Sequence, residues 1–198
     1  MTVYCATGNP GKLREFRLAA EQAGIHVETL PGFAGTPPCA ETGATFEANA
    51  ILKAEYYGRH APGLLFADDS GLEVDALGGA PGVYSARFAG SSATDDANNQ
   101  LLLDRLRGVR GRSARFICVT ALADGGRLLQ TFRGEVEGQI LEERRGTHGF
   151  GYDPLFYYPP FGCSFGEAAP QRKLTVSHRG AALRALFRHL CATSIGRV

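Results

Sequence analysis

Residues 2–30 read TVYCATGNPGKLREFRLAAEQAGIHVETL, and this stretch decides the fold. Residues 2–6 are a short, mostly apolar run suited to a strand, and Thr7-Gly8-Asn9-Pro10-Gly11 stops it. The spacing predicts a helix over residues 12–23, with Leu13, Phe16, Ala20 and Ala23 as its buried stripe. Gly24 sits where a C-terminal cap belongs. Residues 25–30 read as the next strand. The order strand, loop, helix, strand opens an α/β fold.

Helices and strands stay mixed along the rest of the chain. Residues 31–43 carry three prolines and read as loop. A second helix is predicted over residues 45–57 with Thr45 as N-cap. Residues 64–67 form a short apolar strand, with Asp68-Asp69 expected directly after its end. The glycine-rich stretch 71–90 holds one strand near residues 72–74. Thr94 can cap a third helix, with Leu101, Leu102 and Leu106 in the core. Residues 114–123 and 127–136 flank Asp124-Gly125-Gly126, a strong hairpin signal. Ser177 can cap a last helix over residues 178–191, with Leu183, Leu186, Phe187 and Leu190 facing inward. No repeat or linker divides the chain, so residues 1–198 are read as one domain.

Composition narrows the class. The hydrophobic fraction is 44% and the charged fraction 21%, the balance of a soluble globular protein. A net charge of +1 calls for neither a nucleic-acid nor an anionic-membrane partner, so any phosphate chemistry must be local. The five cysteines are scattered, odd in number and without a C-x-x-C. Buried free thiols in a reducing compartment are expected, not a zinc site or disulfide framework. No signal core precedes the first strand, and no run approaches the ~18 apolar residues of a membrane span. A cytoplasmic, membrane-free protein is the expectation.

Several segments carry chemistry. Thr7-Gly8-Asn9-Pro10-Gly11-Lys12 lies between a strand and a helix, where backbone N–H groups and the helix dipole favour an anion. Taken alone it serves equally as an ordinary βα turn. Its glycine spacing fails the Walker pattern and Leu13 replaces Ser or Thr, which excludes a Walker-type phosphotransferase. Asn49 and Lys53 are four apart on one helix face, an amide and an ammonium suited to phosphate oxygens or to solvent. Glu41 is a loop carboxylate nearby in sequence. The strongest local signal is Asp68-Asp69-Ser70-Gly71. Paired carboxylates at the end of an apolar strand either form a solvated polar turn or need neutralising, and Mg2+ takes one or two carboxylates together with water and phosphate oxygens. Gly149-Phe150-Gly151-Tyr152-Asp153-Pro154 sets aromatic faces among glycines, which suits stacking on a nucleobase. Lys173 and Ser177-His178-Arg179-Gly180 add donors near the start of the last helix.

Six ordered blocks together resemble the inosine triphosphate pyrophosphatase family, the Ham1-like non-canonical purine NTP pyrophosphatases. They are Thr7-Gly8-Asn9-x-Gly11-Lys12, Thr45-Phe46-x-x-Asn49-Ala50-x-x-Lys53-Ala54, Asp68-Asp69-Ser70-Gly71-Leu72, residues 77–87, residues 149–154 and Ser177-His178-Arg179-Gly180. The resemblance implies an elongated α/β fold, two lobes around a long mixed twisted sheet with a central active-site cleft, and a homodimer. It implies that Thr7, Gly8, Asn9, Pro10, Gly11, Lys12 and Lys53 hold the triphosphate. Asp69 would be the catalytic carboxylate and a Mg2+ contact, with Glu41 and Asp68 as further metal-site carboxylates. Ser70 would touch substrate, Phe150 would stack on the base, and Gly151, Tyr152, Asp153 and Lys173 would line its pocket. His178 and Arg179 would read the base edge. The segment 164–168 follows the family pattern only loosely, with Phe165-Gly166 unusual inside it.

The implied reaction is attack of water on the α-phosphorus of ITP, dITP or XTP, releasing pyrophosphate. Two other readings remain open at this stage. A nucleotide-binding module without catalysis would not need Glu41, Asp68 and Asp69. A related pyrophosphatase could instead take pyrimidine or modified nucleotides.

Overall fold

In the computed structural model, which describes residues 1–195, β1 (Thr2–Cys5) leads into α1 (Pro10–Ala23) and β2 (His26–Thr29). β1 pairs with β2 in parallel, as the opening stretch predicts. The helix begins at Pro10 because Asn9 Oδ1 accepts from the N–H groups of Gly11 (2.8 Å) and Lys12 (3.1 Å), and proline suits the first helical position. Gly24 closes it at φ 65°, its N–H reaching back to the carbonyls of Ala20 and Glu21. Thr45 and Thr94 cap α2 (Phe46–Gly58) and α3 (Asp95–Arg105), accepting from Ala48 N and Ala97 N.

One expectation fails. Residues 64–67 and 72–74 do not form two strands but lie on one, β3 (Leu65–Val74), so Asp68 and Asp69 sit inside a strand and not beyond its end. Eight of its ten residues are buried, the pattern of a strand covered on both faces. Carboxylates have low strand propensity, and here basic side chains from neighbouring helices overrule it.

β1 also runs parallel to β3, with Tyr4 opposite Leu65 and Cys5 opposite Phe66. β4 (Ser113–Asp124) and β5 (Arg127–Ile140) form the predicted hairpin, longer than expected. Gly125 and Gly126 at its tip have φ of 55° and 83°, as a two-residue type I′ turn requires. β6 (Phe156–Tyr158) and β7 (Cys163–Ser164) add antiparallel strands, giving a mixed seven-stranded sheet in the order β2-β1-β3-β4-β5-β6-β7. α4 (Pro170–Val176) was not foreseen, and α5 (His178–Ile195) extends past the predicted end.

Two compact units divide the chain. The first comprises Met1–Asp69, Cys118–Gly134 and His178–Val198. In it α1 packs along α5, and Phe66 lies edge-on to both Phe16 (5.0 Å) and Phe187 (6.3 Å). A Cβ at Gly134 of β5 would stand 2.1 Å from His178 O and 2.6 Å from Ala182 N, so only glycine lets α5 lie this close. Gly134→Ala should therefore destabilise the fold by about 3 kcal/mol through overpacking against backbone. At ~2–4 °C per kcal/mol for a chain of this size, that lowers Tm by roughly 6–12 °C. Melting at the parent temperature would contradict this contact. The second unit comprises Ser70–Ile117 and Glu135–Ser177. Its core joins Leu72, Leu102, Leu106, Phe116, Tyr152, Phe156 and Phe165.

Candidate active site

Strand geometry separates the two acids. Successive residues of β3 point to opposite faces, so Asp68 and Asp69 meet different partners. Asp68 Oδ1 accepts from Lys12 Nζ of α1 (2.9 Å), and its Oδ2 lies 3.6 Å from Arg179 Nε of α5. The Cys118 thiol approaches the same oxygen at 3.8 Å. Asp69 instead faces α2, where Lys53 Nζ donates to its Oδ1 (3.0 Å) and Asn49 Nδ2 to its Oδ2 (3.3 Å). The four-residue spacing of Asn49 and Lys53 thus puts both on one carboxylate.

Glu41 joins Asp69 through the same lysine. Lys53 Nζ donates to Glu41 Oε2 at 3.0 Å while holding Asp69 at 3.0 Å, so the two acceptor oxygens lie within reach of one ammonium. The Glu41 loop is drawn in by Asn49, whose Oδ1 accepts from Gly43 N at 2.7 Å. A Cβ on Gly43 would collide with that oxygen and with Ala48 Cβ, each at 2.7 Å, which explains the glycine. Asp69 and Glu41 thus share one ammonium.

Burial and charge give the two acids different chemistry. Burial alone would raise the Asp68 carboxyl, but Lys12, Arg179 and Lys53 outweigh it and hold it down to about 2. Asp69 goes the other way: burial raises its carboxyl above the ordinary value despite Lys53, and Glu41 adds a like charge. Lys53 is raised although burial opposes its charge, because Asp69, Asp68 and Glu41 all favour the ammonium. Around Asp69 the hydrogen-bonded Lys53 is shared with Glu41, and Lys12 acts on Asp69 through charge alone.

The other predicted residues take definite places. Thr7 Oγ1 accepts from Asn9 N (3.2 Å), so Thr7 and Asn9 order the turn containing Gly8 and lead into Pro10, Gly11 and Lys12. Ser70, partly buried, follows Asp69 in β3. His178 and Arg179 are buried in the first turn of α5, and Arg179 Nη1 donates to Glu15 Oε2 at 2.6 Å. Burial works against the Arg179 charge, yet Glu15 and Asp68 more than compensate and raise its pKa. Glu15, which sequence reasoning passed over, lies one α-helical turn after Lys12 on the helix that carries both. That spacing was the available signal.

The aromatic-glycine loop belongs to the second unit. Asp153 Oδ2 accepts from Phe150 N (2.9 Å) and from Lys173 Nζ (2.5 Å). Lys173 Nζ also lies 5.2 Å from the Phe150 ring centre and 5.7 Å from that of Phe165. Phe150 is half-buried, whereas Tyr152 is 4% exposed and forms part of the core, its hydroxyl donating to Ser85 O at 2.8 Å. Gly149 is forced: at φ 77°, a Cβ would stand 2.0 Å from Asp153 Oδ2. Phe150 is thereby the aromatic left available for stacking, with Asp153 and Lys173 beneath it.

An α/β chain that seats lysines on a buried acid pair has the construction of an enzyme acting on acid anhydrides. This chain belongs to the Ham1 family, whose model matches residues 3–189. It is 49% identical to a protein of Acidobacterium capsulatum named dITP/XTP pyrophosphatase, over 96% of this chain and 98% of that one. A protein of Thermus thermophilus with the same name is 52% identical over 94% and 90%. The Ham1 protein of Staphylococcus aureus superposes with a TM-score of 0.85 at 37% identity, covering 98% of this chain and all (100%) of that one. A HAM1 protein from Coxiella burnetii gives 0.85 at 39% identity, over 97% and 99%.

Proposed function

We propose that this chain hydrolyses the non-canonical purine nucleoside triphosphates dITP, XTP and ITP to the monophosphate and pyrophosphate, with Mg2+, and so cleanses the nucleotide pool. The observation that carries this reading is Lys53 Nζ held between Asp69 and Glu41, a lysine-lined acid pair in which one carboxyl is raised. The names of the relatives point the same way.

The donor set fits Mg2+. Asp69 and Glu41 would be the oxygen donors, at the place where Lys53 Nζ bridges them, with Asp68 on the other face of the strand acting in support through its charge. Among the described residues no group of three or more His, Cys, Asp or Glu forms a cage of its own. Mg2+ is commonly held by one or two carboxylates and completed by water and substrate phosphate. When bound, the ion supplies neutralisation of phosphate charge and a more acidic water.

The chain's own groups do the rest. Asp69 orients the attacking water and accepts its proton, a role for which a raised carboxyl is better matched than an ordinary one. Lys12 and Lys53 offset charge on the departing pyrophosphate, and the turn Thr7-Gly8-Asn9-Pro10-Gly11 steadies the phosphates. Ser70 touches substrate. Phe150 stacks on the base, with Gly151, Tyr152, Asp153 and Lys173 forming its surround. His178 and Arg179 donate to the 6-oxo group that hypoxanthine and xanthine share and adenine lacks.

The reading extends to a cytoplasmic homodimer. Five free cysteines suit a reducing compartment, and among the described residues no helix is long and apolar enough to cross a membrane. Pyrophosphate release from ITP, XTP, dITP, ATP and GTP, with and without Mg2+, tests the assignment. Fast release from the first three only, and only with the ion, is expected. Equal rates on ATP, or turnover in chelator, would overturn it.

A further inference from the structure

The loop of residues 149–154 lies outside the strands; main-chain bonds fix its far end, Gly166 N to Asp153 O (2.9 Å) and Arg145 N to Pro154 O (2.8 Å), while glycines at 149 and 151 both adopt positive φ. Two side chains from α3 reach it. Gly151 N donates to Asp95 Oδ2 at 2.7 Å, and Asn99 Nδ2 donates to Gly151 O at 2.8 Å. One residue's N–H and C=O are thus gripped by the same helix, one helical turn apart. Asn99 is 2% exposed, and its Nδ2 also donates to Asp95 O at 2.7 Å. Because both neighbours are carbonyl oxygens, the amide must present its nitrogen. No Cβ at Gly151 would touch anything within 4 Å, so the glycine is required by φ 61° and not by space.

The helix that does the gripping is itself anchored. Asn98 Oδ1 accepts from Ala89 N at 2.8 Å and its Nδ2 donates to Ala86 O at 3.1 Å. Arg144, just before the loop, donates to the Asp96 carboxylate at 2.6 Å and to Asp96 O at 2.8 Å. We propose that Asp95 and Asn99 are positioning residues for base recognition. They fix the Gly151 peptide and so set the ring of Phe150 in its stacking pose. Asp153 locks the residue on the Phe150 side of Gly151, and α3 locks Gly151 itself. The proposal rests on the reading that Phe150 meets the base.

The chain has no tryptophan, so Phe150→Trp installs a single reporter at the stacking position. In that background, binding of ITP is followed by quenching of tryptophan emission, independent of turnover. Asn99→Asp keeps the shape but turns a carboxylate oxygen toward two carbonyls, and Asp95→Ala removes the acceptor for Gly151. Each should weaken ITP binding about tenfold, the scale of one buried or charge-assisted hydrogen bond lost. Asp95→Asn keeps an acceptor oxygen and should stay within about twofold. In the otherwise natural chain, KM for ITP should rise with kcat little changed, while inhibition by tripolyphosphate, which has no base, should be unaltered. Parent-like ITP binding in both Asn99→Asp and Asp95→Ala overturns the proposal. So does an equal loss of tripolyphosphate inhibition, which marks a general defect. Emission that ignores saturating ITP in an active Phe150→Trp enzyme overturns the stacking reading beneath it.

Discussion

Asp69→Asn is expected to lower kcat for ITP by about a thousandfold, within the range that general-base catalysis supplies, while nucleotide binding persists. The substitution leaves an oxygen to accept from Lys53 and changes volume little. Its amide would face the Asn49 amide, a weak donor–donor opposition at a contact already 3.3 Å long, so the fold should survive. Steady-state rates with Mg2+, together with ITP binding, check both halves. The pH profile carries the sign. Asp69 acts only when ionised, and burial raises its carboxyl above the ordinary value of about 4 in the metal-free site. A bound Mg2+ would lower it again, so the acid limb of activity should move to lower pH as Mg2+ is raised. In the Asn variant that limb should vanish from the residual activity. Wild-type turnover would remove Asp69 from the chemistry.

Arg179→Ala should have the largest effect on stability. It deletes a buried guanidinium and leaves Glu15 without its 2.6 Å partner and Asp68 with Lys12 as its hydrogen-bonded cation. Breaking a buried ion pair by removing one partner costs about 3–5 kcal/mol. For a chain of this length that is a fall of roughly 6–20 °C in Tm. Adding Glu15→Gln should restore part of the loss, since a buried carboxylate that has lost the Arg179 ion pair is then neutral. The acid side again has a definite sign. With Asp68 held down to about 2, its contribution is complete above the unfolded value of about 3.9 and is lost as pH falls toward 2. Without Arg179 the folded value rises, so acid unfolding should begin at higher pH. Urea midpoints at pH 3 and pH 7 measure this. A separate readout concerns selectivity: the ITP-to-ATP ratio of kcat/KM should narrow in Arg179→Ala. An unchanged ratio with lowered Tm would confine Arg179 to holding Glu15 and Asp68.

Local signals carried much of the fold. Gly24, Thr45, Thr94 and the Asp124-Gly125-Gly126 turn act through bonds to near neighbours, so their roles can be read from spacing alone. β3 could not be read that way. Asp68-Asp69 looks like the end of a strand until Lys12 and Lys53, 56 and 16 residues away, neutralise it from two sides. α4 is seven residues long, too short to show a helical period. At the site, the Asn49–Lys53 spacing announced a shared face, and the structure adds what they share. Asp95 and Asn99 left no trace because they act on the backbone of Gly151, 56 and 52 residues on. A bond to a peptide group asks nothing of the residue type it meets.

The alternation of β3 makes its alignment with β1, Tyr4 against Leu65 and Cys5 against Phe66, a quantity that function depends on. Sliding the strand by one position would either put Asp69 in the low-pKa surroundings of Asp68 and Ser70 beside Lys53, or put Asp68 beside Lys53 and Ala67 in its old place. Length changes in the turn at residues 59–64 can be absorbed before the strand begins. An inserted or deleted codon between Leu65 and Asp69 cannot, and should yield a protein that still builds a sheet yet cannot turn over its substrate.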